Sequence, residues 1–150
     1  MKRLDNLITN LEAFQEKLNE TIAAIAEENS DFISDLIREG QLFGEGIRGS
    51  DGVFLADEHP YATLTVILKT QKGQPTDRVT LRDTGDFHRS LKVKADTQEM
   101  EVTASDWKTD KLKAKYGDGI LALSDENLDF LKNEIIKPEL VKALEKAFDV

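Results

Sequence analysis

The chain has 150 residues, enough for one domain with a hydrophobic core and too few to expect two. It has no cysteine, which excludes disulfides, thiol catalysis and zinc sites with cysteine ligands. Its 29 acidic residues outnumber its 20 basic residues, for a formal net charge of −9. Nucleic-acid binding needs clustered cations to displace counterions from phosphates, and here the cations are dispersed. We therefore expect no specific nucleic-acid binding.

The N-terminal segment is amphipathic and not uniformly apolar, which is not the pattern of a signal peptide. No apolar run approaches the length of a membrane span. From the sequence we expect a protein that is made in the cytosol and has no membrane partner.

A seven-residue repeat of apolar residues predicts a long amphipathic helix from about residue 3 to residue 39. The repeat consists of Leu4, Leu11, Leu18, Ile25 and Phe32. Asn29 to Asp31 offers a new N-cap where this helix could break, and Gly40 is the expected C-cap. The apolar stripe predicts packing against the protein's own sheet. A coiled-coil seam between subunits is the alternative, which polar Thr21 and Glu28 at seam positions disfavour.

Residues 40–60 are rich in glycine, aspartate and serine and have few apolar anchors. This composition predicts a flexible loop, a kind of segment that often contacts partners. Residues 61–68 are rich in β-branched residues and favour a strand by propensity. Pro60 would also suit the first turn of a helix, so strand and helix both stay open for this segment.

Alternating apolar and polar residues predict a β-hairpin after residue 90. Leu91, Val93 and Ala95 would form the buried face of one strand, and Met100, Val102 and Ala104 that of the other. The lysine-rich residues 108–115 are expected to form a solvated loop. Ser124 then predicts the N-cap of a helix, and Pro138 predicts a kink or a new helical start. These elements together predict a single α+β domain over residues 1–150.

The segment from residue 81 to residue 91 is the most informative part of the sequence. Its pattern is an apolar residue, Asp-Thr-Gly, an acid, an aromatic residue and a serine that opens a strand, with the key positions Leu81, Asp83, Thr84, Gly85, Phe87 and Ser90. Asp-Thr-Gly also carries the shared carboxylate of aspartic proteases. A homodimeric protease using Asp83 is therefore one alternative. The neighbouring charges Arg82, Asp86 and Arg89 argue against it, because they would wet the site and keep Asp83 ionised.

Other catalytic and metal-binding patterns are weak. His59 and His88 lie far apart in the sequence, and a metal site would need both of them to converge with carboxylates. Ser90 could face His88 at a spacing of two residues, but no Gly-x-Ser-x-Gly elbow surrounds it. We expect no catalytic residues, no cofactor and no metal.

The pattern of residues 81–91 resembles morphogenesis proteins of long-tailed bacteriophages that act at the head–tail junction or complete the tail. In that family a similar segment precedes a β-hairpin. Residues 73–80 and the segments 41–43 and 44–47 extend the resemblance, which covers roughly residues 40 to 135. The resemblance also implies a helix, and not a strand, near residues 61–68.

This resemblance implies a non-enzymatic structural protein that forms a ring of identical copies and contacts neighbours such as a portal, an adaptor or a tail tube. It implies a location in the host bacterial cytoplasm during assembly and then in the virion. We expect the subunit contacts in the 40–60 loop and near the lysine-rich segment, at Phe43, Ile47, Phe54, Trp107, Lys111 and Lys113. A generic interaction module that binds a partner through the long helix is a further alternative.

Overall fold

The protein has an α+β fold in which helices surround a single β-hairpin. The structure is a computed structural model that describes the backbone of residues 1–148 and the side chains of residues 1–146. The helices are α1 (Lys2–Glu28), α2 (Ser30–Asp35), α3 (Leu55–Glu58), α4 (Thr63–Gln71), α5 (Asp86–Arg89), α6 (Thr109–Tyr116), α7 (Asp125–Phe130) and α8 (Lys137–Phe148). The strands are β1 (Leu91–Ala95) and β2 (Met100–Ala104). Within residues 1–148, none of the helices contains an apolar stretch of the length that a membrane span requires.

The predicted break in the long N-terminal helix is confirmed at Asn29, whose side-chain amide donates to the Ile25 carbonyl at 2.8 Å. The predicted C-cap at Gly40 is wrong. After α2 the chain continues as a π-helix over Leu36–Glu45 and ends at Gly46, whose φ is 70°. A β-carbon on Gly46 would lie 2.9 Å from the Arg78 β-carbon, so this C-cap needs glycine for space as well as for conformation.

The segment predicted as a flexible loop at 40–60 contains regular structure and fixed contacts. Residues 40–45 belong to the π-helix, and residues 55–58 form α3. Between them, Ile47 and Phe54 form an isolated antiparallel bridge. The Arg48 guanidinium donates to Asp51 and Glu58 and also to the Tyr116 carbonyl at 2.9 Å. The composition did not reveal these contacts, and one partner of Arg48, Tyr116, lies 68 residues further along the chain.

Residues 63–71 form helix α4, as the phage resemblance implied. Strand propensity is overridden here because no strand lies beside the segment: the one sheet in the described chain contains only β1 and β2. Instead, α4 is held through Tyr61 and Lys69, whose contacts are described below. Propensity alone therefore gave the wrong element for this segment.

The predicted hairpin is confirmed. β1 and β2 pair antiparallel, with Leu91 opposite Ala104, Val93 opposite Val102 and Ala95 opposite Met100. Leu91 and Val93 are buried, and Lys92 and Lys94, which alternate with them, are exposed. The carboxylate of Glu27 at the end of α1 accepts a hydrogen bond from the Ala95 amide at 2.8 Å, which joins the long helix to the hairpin.

The lysine-rich segment is helix α6 and not a loop, because Leu112 and Tyr116, four residues apart, both pack on the core.

The predicted cap at Ser124 is confirmed: its hydroxyl accepts from the Asn127 amide at 3.2 Å and opens α7. A π-helix over Leu131–Ile136 follows, and α8 begins one residue before Pro138. The helical run is continuous from Asp125 to Phe148, so Pro138, which has no N–H to donate, lies inside it, directly after the π-helix that interrupts the ordinary hydrogen-bond ladder.

The core consists of two clusters of buried apolar side chains. The larger one, which we call the first cluster, contains Ile37, Leu42, Leu55, Val79, Phe87, Leu91, Tyr116 and Ile120. The second cluster contains Ala26, Ile33, Val93 and Leu131. Val102 and Leu123 pack against both clusters. The hairpin and the segment before α7 therefore bridge the two halves of the core.

The first half of α1 does not pack on the sheet, contrary to the expectation from its heptads. Every residue from 1 to 17 is exposed, and only Ile25 and Ala26 of this helix are buried. The apolar side chains of this exposed part, which we call the α1 face, are Leu4, Leu7, Ile8, Leu11 and Phe14. The heptad pattern correctly predicted a helix. It could not show that the rest of the chain leaves the N-terminal turns of this helix uncovered.

Two glycines predict opposite effects of substitution by alanine. A β-carbon on Gly49 would lie 1.7 Å from the Ala122 carbonyl oxygen, whereas at Gly40 nothing lies within 4 Å. We expect Gly49→Ala to lower the free energy of unfolding by about 3 kcal/mol, because the backbone must shift. We expect Gly40→Ala to raise it by about 0.5–1 kcal/mol, because glycine loses more chain entropy on folding. Urea unfolding of both variants tests this, and similar midpoints for the two variants would contradict it.

Candidate functional site

Residues 81–91, which we call the DTG segment, form a compact turn that leads directly into the hairpin. Leu81 is the one non-glycine residue with a left-handed backbone in the described chain, with φ at 55°. Gly85 has φ at 87°, and a β-carbon there would lie 2.8 Å from an Arg89 guanidinium nitrogen. Helix α5 follows at once, and β1 begins two residues after it. The segment thus reverses the chain at two left-handed positions and sets the start of β1.

Asp83 lies on the surface and is paired. Its carboxylate accepts a hydrogen bond from the Lys72 ammonium at 2.6 Å, and its carbonyl accepts one from the Gln74 side-chain amide at 2.8 Å. The hydrogen bond from Lys72 holds the pKa of Asp83 below its ordinary value. A carboxylate in this state stays ionised, which is poorly suited to sharing a proton with a second aspartate.

Asp86 is the second carboxylate of the DTG segment and closes it from the other side. It accepts a hydrogen bond from the Thr84 hydroxyl at 2.6 Å and another from the Arg89 guanidinium. The hydrogen bond from Thr84, and after it the one from Arg89, holds the pKa of Asp86 below its ordinary value. Gly85 is the N-cap of α5, and Asp86 lies in the first turn, where a negative charge is favourable.

Helix α4 and Tyr61, which precedes it, hold the chain at the start of the DTG segment through side chains that the sequence did not indicate as site residues. The Lys69 ammonium donates to the Arg82 carbonyl at 2.8 Å and to the Gln74 side chain at 3.2 Å. The Tyr61 hydroxyl accepts from the Thr80 amide at 3.0 Å. Lys69 is buried, an unusual state for a lysine that requires such partners. A lysine at the end of the apolar run 61–68 was the signal in the sequence that could have indicated this role.

The aromatic and serine positions of the motif have structural roles. Phe87 is buried in the first cluster. The Ser90 hydroxyl donates to the Phe87 carbonyl at 2.8 Å and accepts from the Asp106 amide at 3.1 Å. Ser90 therefore ties the start of β1 to the chain that follows β2.

His88 is a core residue of the DTG segment. Its Nε2 lies 2.8 Å from the Thr80 carbonyl oxygen, so this nitrogen carries the proton and donates. Its Nδ1 is buried and has no hydrogen-bond partner. Burial lowers the pKa of His88, because the charged imidazolium would lose its hydration. The ring is therefore neutral near pH 7.

A cavity of about 180 Å³ lies between the DTG segment, α4 and α6. Leu81, Phe87 and Leu112 line its apolar side, and Lys69 and Asp83 are among its polar groups. Every one of its charged groups described above already has a partner in the protein. Among the described residues no three histidine, aspartate or glutamate side chains converge as metal ligands would. The cavity offers an apolar recess with a polar rim, on which the Lys108 ammonium lies 5.6 Å from the centroid of the Trp107 ring.

The residues expected at subunit contacts differ in how far their side chains are exposed. Trp107 is 79% exposed and Phe54 is 55% exposed, and Lys111 also points to solvent. Phe43 is half-buried beneath the Arg82 guanidinium, 4.7 Å from the ring centroid, and Lys113 pairs with Asp118 at 3.6 Å. Ile47 is buried in the chain's own core. Trp107 and Phe54 are thus the expected contact residues most open to a partner, while Ile47 is closed to one.

No protein-family model matches this chain, and neither a curated protein nor a solved structure matches it.

The buried neutral His88 predicts that acid destabilises the fold. The unfolded chain binds a proton near pH 6.5, but the folded chain resists protonation until its lower pKa is reached. Between these values the unfolded state holds more protons, so stability falls as the pH falls, by up to about 1.4 kcal/mol per pH unit. We expect urea unfolding from pH 7.5 to pH 5 to show this slope in the wild type and in His59→Gln, and to lose it in His88→Gln. An unchanged slope in His88→Gln would assign the acid sensitivity to another group.

Asp83→Asn predicts only a small loss of stability. The pair with Lys72 is more than half exposed on both sides, and such pairs contribute less than about 1 kcal/mol. The pKa of Asp83 is lowered, so the contribution is present above its ordinary value and disappears as the pH falls through the folded value. We expect wild type and Asp83→Asn to differ at pH 7 and to converge at acid pH, once Asp83 is protonated in the folded protein as well as in the unfolded chain. Asp118→Asn, at a looser surface pair, is the matched control, and a larger loss for it would contradict this order.

Proposed function

We propose that this chain is a non-enzymatic structural protein of a tailed bacteriophage or prophage. It would act at the head–tail junction or in tail completion, as one copy of a ring. Its partners would be further copies of itself and neighbouring virion proteins such as a portal, an adaptor or a tail tube. It would be found in the host bacterial cytoplasm during assembly and in the virion afterwards.

The observation that carries this proposal is the use of the DTG segment as a structural turn. Gly85 has the left-handed backbone, Phe87 fills the core, Ser90 fixes the start of β1, and Asp83 pairs with a lysine. Each motif residue so examined has a role in folding, and the segment opens a hairpin as in the phage family that it resembles. A motif whose residues are engaged in packing and hydrogen bonds supports a structural role over a catalytic one.

The surface gives further support. Large apolar side chains stay exposed on α1, on α4 and at Trp107. Clusters of this kind on a small protein mark surfaces that partners cover. The net charge of −9 also suits a ring through which DNA passes without adhering, because like charges repel.

A generic helix-mediated interaction module is the second candidate, and the exposed α1 face favours it. The two proposals differ in what removal of the helix does. Ile25 and Ala26 belong to the buried core, whereas residues 1–17 are exposed. A chain lacking residues 1–16 should therefore keep its fold under either proposal. Only under the interaction-module proposal would this truncated chain fail to bind any partner.

Deletion of the gene from the genome that carries it tests the phage proposal. We expect electron micrographs of induced lysates to show DNA-filled heads and tails that are not joined, or tails of abnormal length. Wild-type protein supplied from a plasmid should restore infectious particles, and mass spectrometry should find the protein in purified virions. Normal joined particles after deletion, or absence of the protein from virions that contain all other structural proteins, would falsify the proposal.

A further inference from the structure

The N-terminal half of α1 has an apolar face that the rest of the chain does not cover. The five side chains of the α1 face keep 46–58% of their surface in contact with solvent. Their spacings of three and four residues place them on one side of the helix. At 1.5 Å per residue, the exposed residues 1–17 extend about 25 Å. A contiguous apolar surface of this kind on a small protein marks a site that a partner covers.

The coiled-coil seam is uninterrupted in this half of the helix. The seam consists of the first and fourth positions of each heptad. Over residues 4–14 these positions hold only leucine and phenylalanine. The polar seam residues Thr21 and Glu28 lie in the other half of α1, which packs against the protein's own hairpin and α8. Residues 1–17 therefore have the seam of a coiled coil without the polar interruptions of the full helix.

Charged residues on the two flanks of this seam have opposite signs. Successive residues of a helix are about 100° apart, so the residues before and after a seam position lie on opposite flanks. Before the first position of each heptad the sequence has Arg3, Asn10 and Lys17. After the first position of the same heptads it has Asp5 and Glu12. All five side chains are exposed, so one open flank is basic and the other is acidic.

This arrangement of charges selects a second copy in parallel orientation as the partner. In a parallel pair of identical helices, the flank before the seam of one helix lies beside the flank after the seam of the other. Each basic flank would then meet an acidic flank. In an antiparallel pair like flanks meet, and like charges repel. Residues 1–17 contain three basic and three acidic side chains, so two copies of this segment carry no net side-chain repulsion.

A membrane surface fits the same helix less well. Amphipathic helices that lie on anionic lipids carry lysine and arginine around their polar face. Here Asp5, Glu12 and Glu16 occupy the polar side, where they would face the lipid headgroups. The exposed charges therefore favour a protein partner with both signs of charge, which a second α1 helix provides.

We propose that residues 1–17 pack in parallel against the same residues of neighbouring copies, with the α1 faces in a common seam and each basic flank beside the acidic flank of the next copy. This arrangement repeats around an axis along the helices, so it closes with two copies or with a larger ring. The contact rests on the proposed function in that it supplies the subunit contact of the proposed ring. It is measured on purified protein, so its failure would leave the deletion phenotype intact, and normal virions after deletion would leave the measured contact intact.

Disulfide formation tests which face meets which, and in what orientation. The chain has no native cysteine, so introduced thiols react without background. In the parallel arrangement Leu4 of one copy lies near Leu4 of the next, whereas in an antiparallel pair it lies near Phe14. We expect Leu4→Cys to form a linked dimer on mild oxidation. Ala13→Cys, exposed on the opposite side of the same helix, is the matched control and should form far less.

Exchange of the flank charges tests the complementarity. Arg3→Glu with Lys17→Glu makes both flanks acidic, and Asp5→Lys with Glu12→Lys makes both flanks basic. In sedimentation velocity at low salt we expect each double variant to stay monomeric where wild type associates, because like flanks repel. An equimolar mixture of the two double variants should associate again, because every flank then meets one of opposite charge.

Two further variants separate the flanks and the seam from the rest of the helix. Lys2→Glu with Ala13→Glu adds acid on the far side of α1 and should associate like wild type. Leu7→Glu, in the seam, should raise the concentration of half-association by about tenfold or more. Urea unfolding of each variant, at a concentration where wild type is monomeric, should match wild type because residues 1–17 are all exposed.

The proposal is overturned by wild-type protein that stays monomeric up to millimolar concentration, or by a mixture of the two charge variants that does not associate. A linked product that appears only when Leu4→Cys is mixed with Phe14→Cys would show antiparallel packing and would also overturn it. Lipid vesicles that bind monomeric wild type but not Leu7→Glu would instead assign the α1 face to a membrane surface.

Discussion

The buried side-chain amide of Gln41 joins the two halves of the chain. Its nitrogen donates to the Ala122 carbonyl, and its oxygen accepts from the Ser124 amide and the Asn127 side chain, each at 2.8 Å. The side chain has no exposed surface, so loss of these bonds would leave buried polar groups without partners. Gln41 therefore fixes the start of α7 against the π-helix, and with it the position of the C-terminal half.

The rest of the fold follows from this link. With residues 122–127 held in place, Gly49 can approach Ala122 closely and Gly119 can approach Ser50. These approaches dock the 46–54 segment on the 117–122 segment and close the first cluster around Phe87. The DTG segment then has a fixed base and sets the start of the hairpin. The α1 face, and Leu64, Ile67 and Leu68 of α4, are among the apolar side chains that stay exposed.

Local patterns in the sequence predicted the elements that local forces decide. Strand alternation predicted the hairpin, Ser124 predicted a cap, and the heptads with Asn29 predicted a long helix with a break. Prediction failed where a distant partner decides the outcome. Arg48 and Gln41 order their segments through residues some 70 to 80 positions away, and Lys69 makes α4 a support for a later turn. No window of neighbouring residues contains those partners.

The candidate site divides in the same way. A turn into a hairpin at residues 81–91 could be predicted from neighbouring residues alone, because Asp-Thr-Gly favours a turn and the alternating pattern favours a strand. The acidic charge and the amphipathic character of α1 could likewise be read from the order of residues. The pairing of Asp83 with Lys72, the burial of a neutral His88, and the exposure of the α1 face and of Leu64 on α4 result from tertiary packing. Burial and pairing depend on where the chain returns in space, which the order of residues does not state.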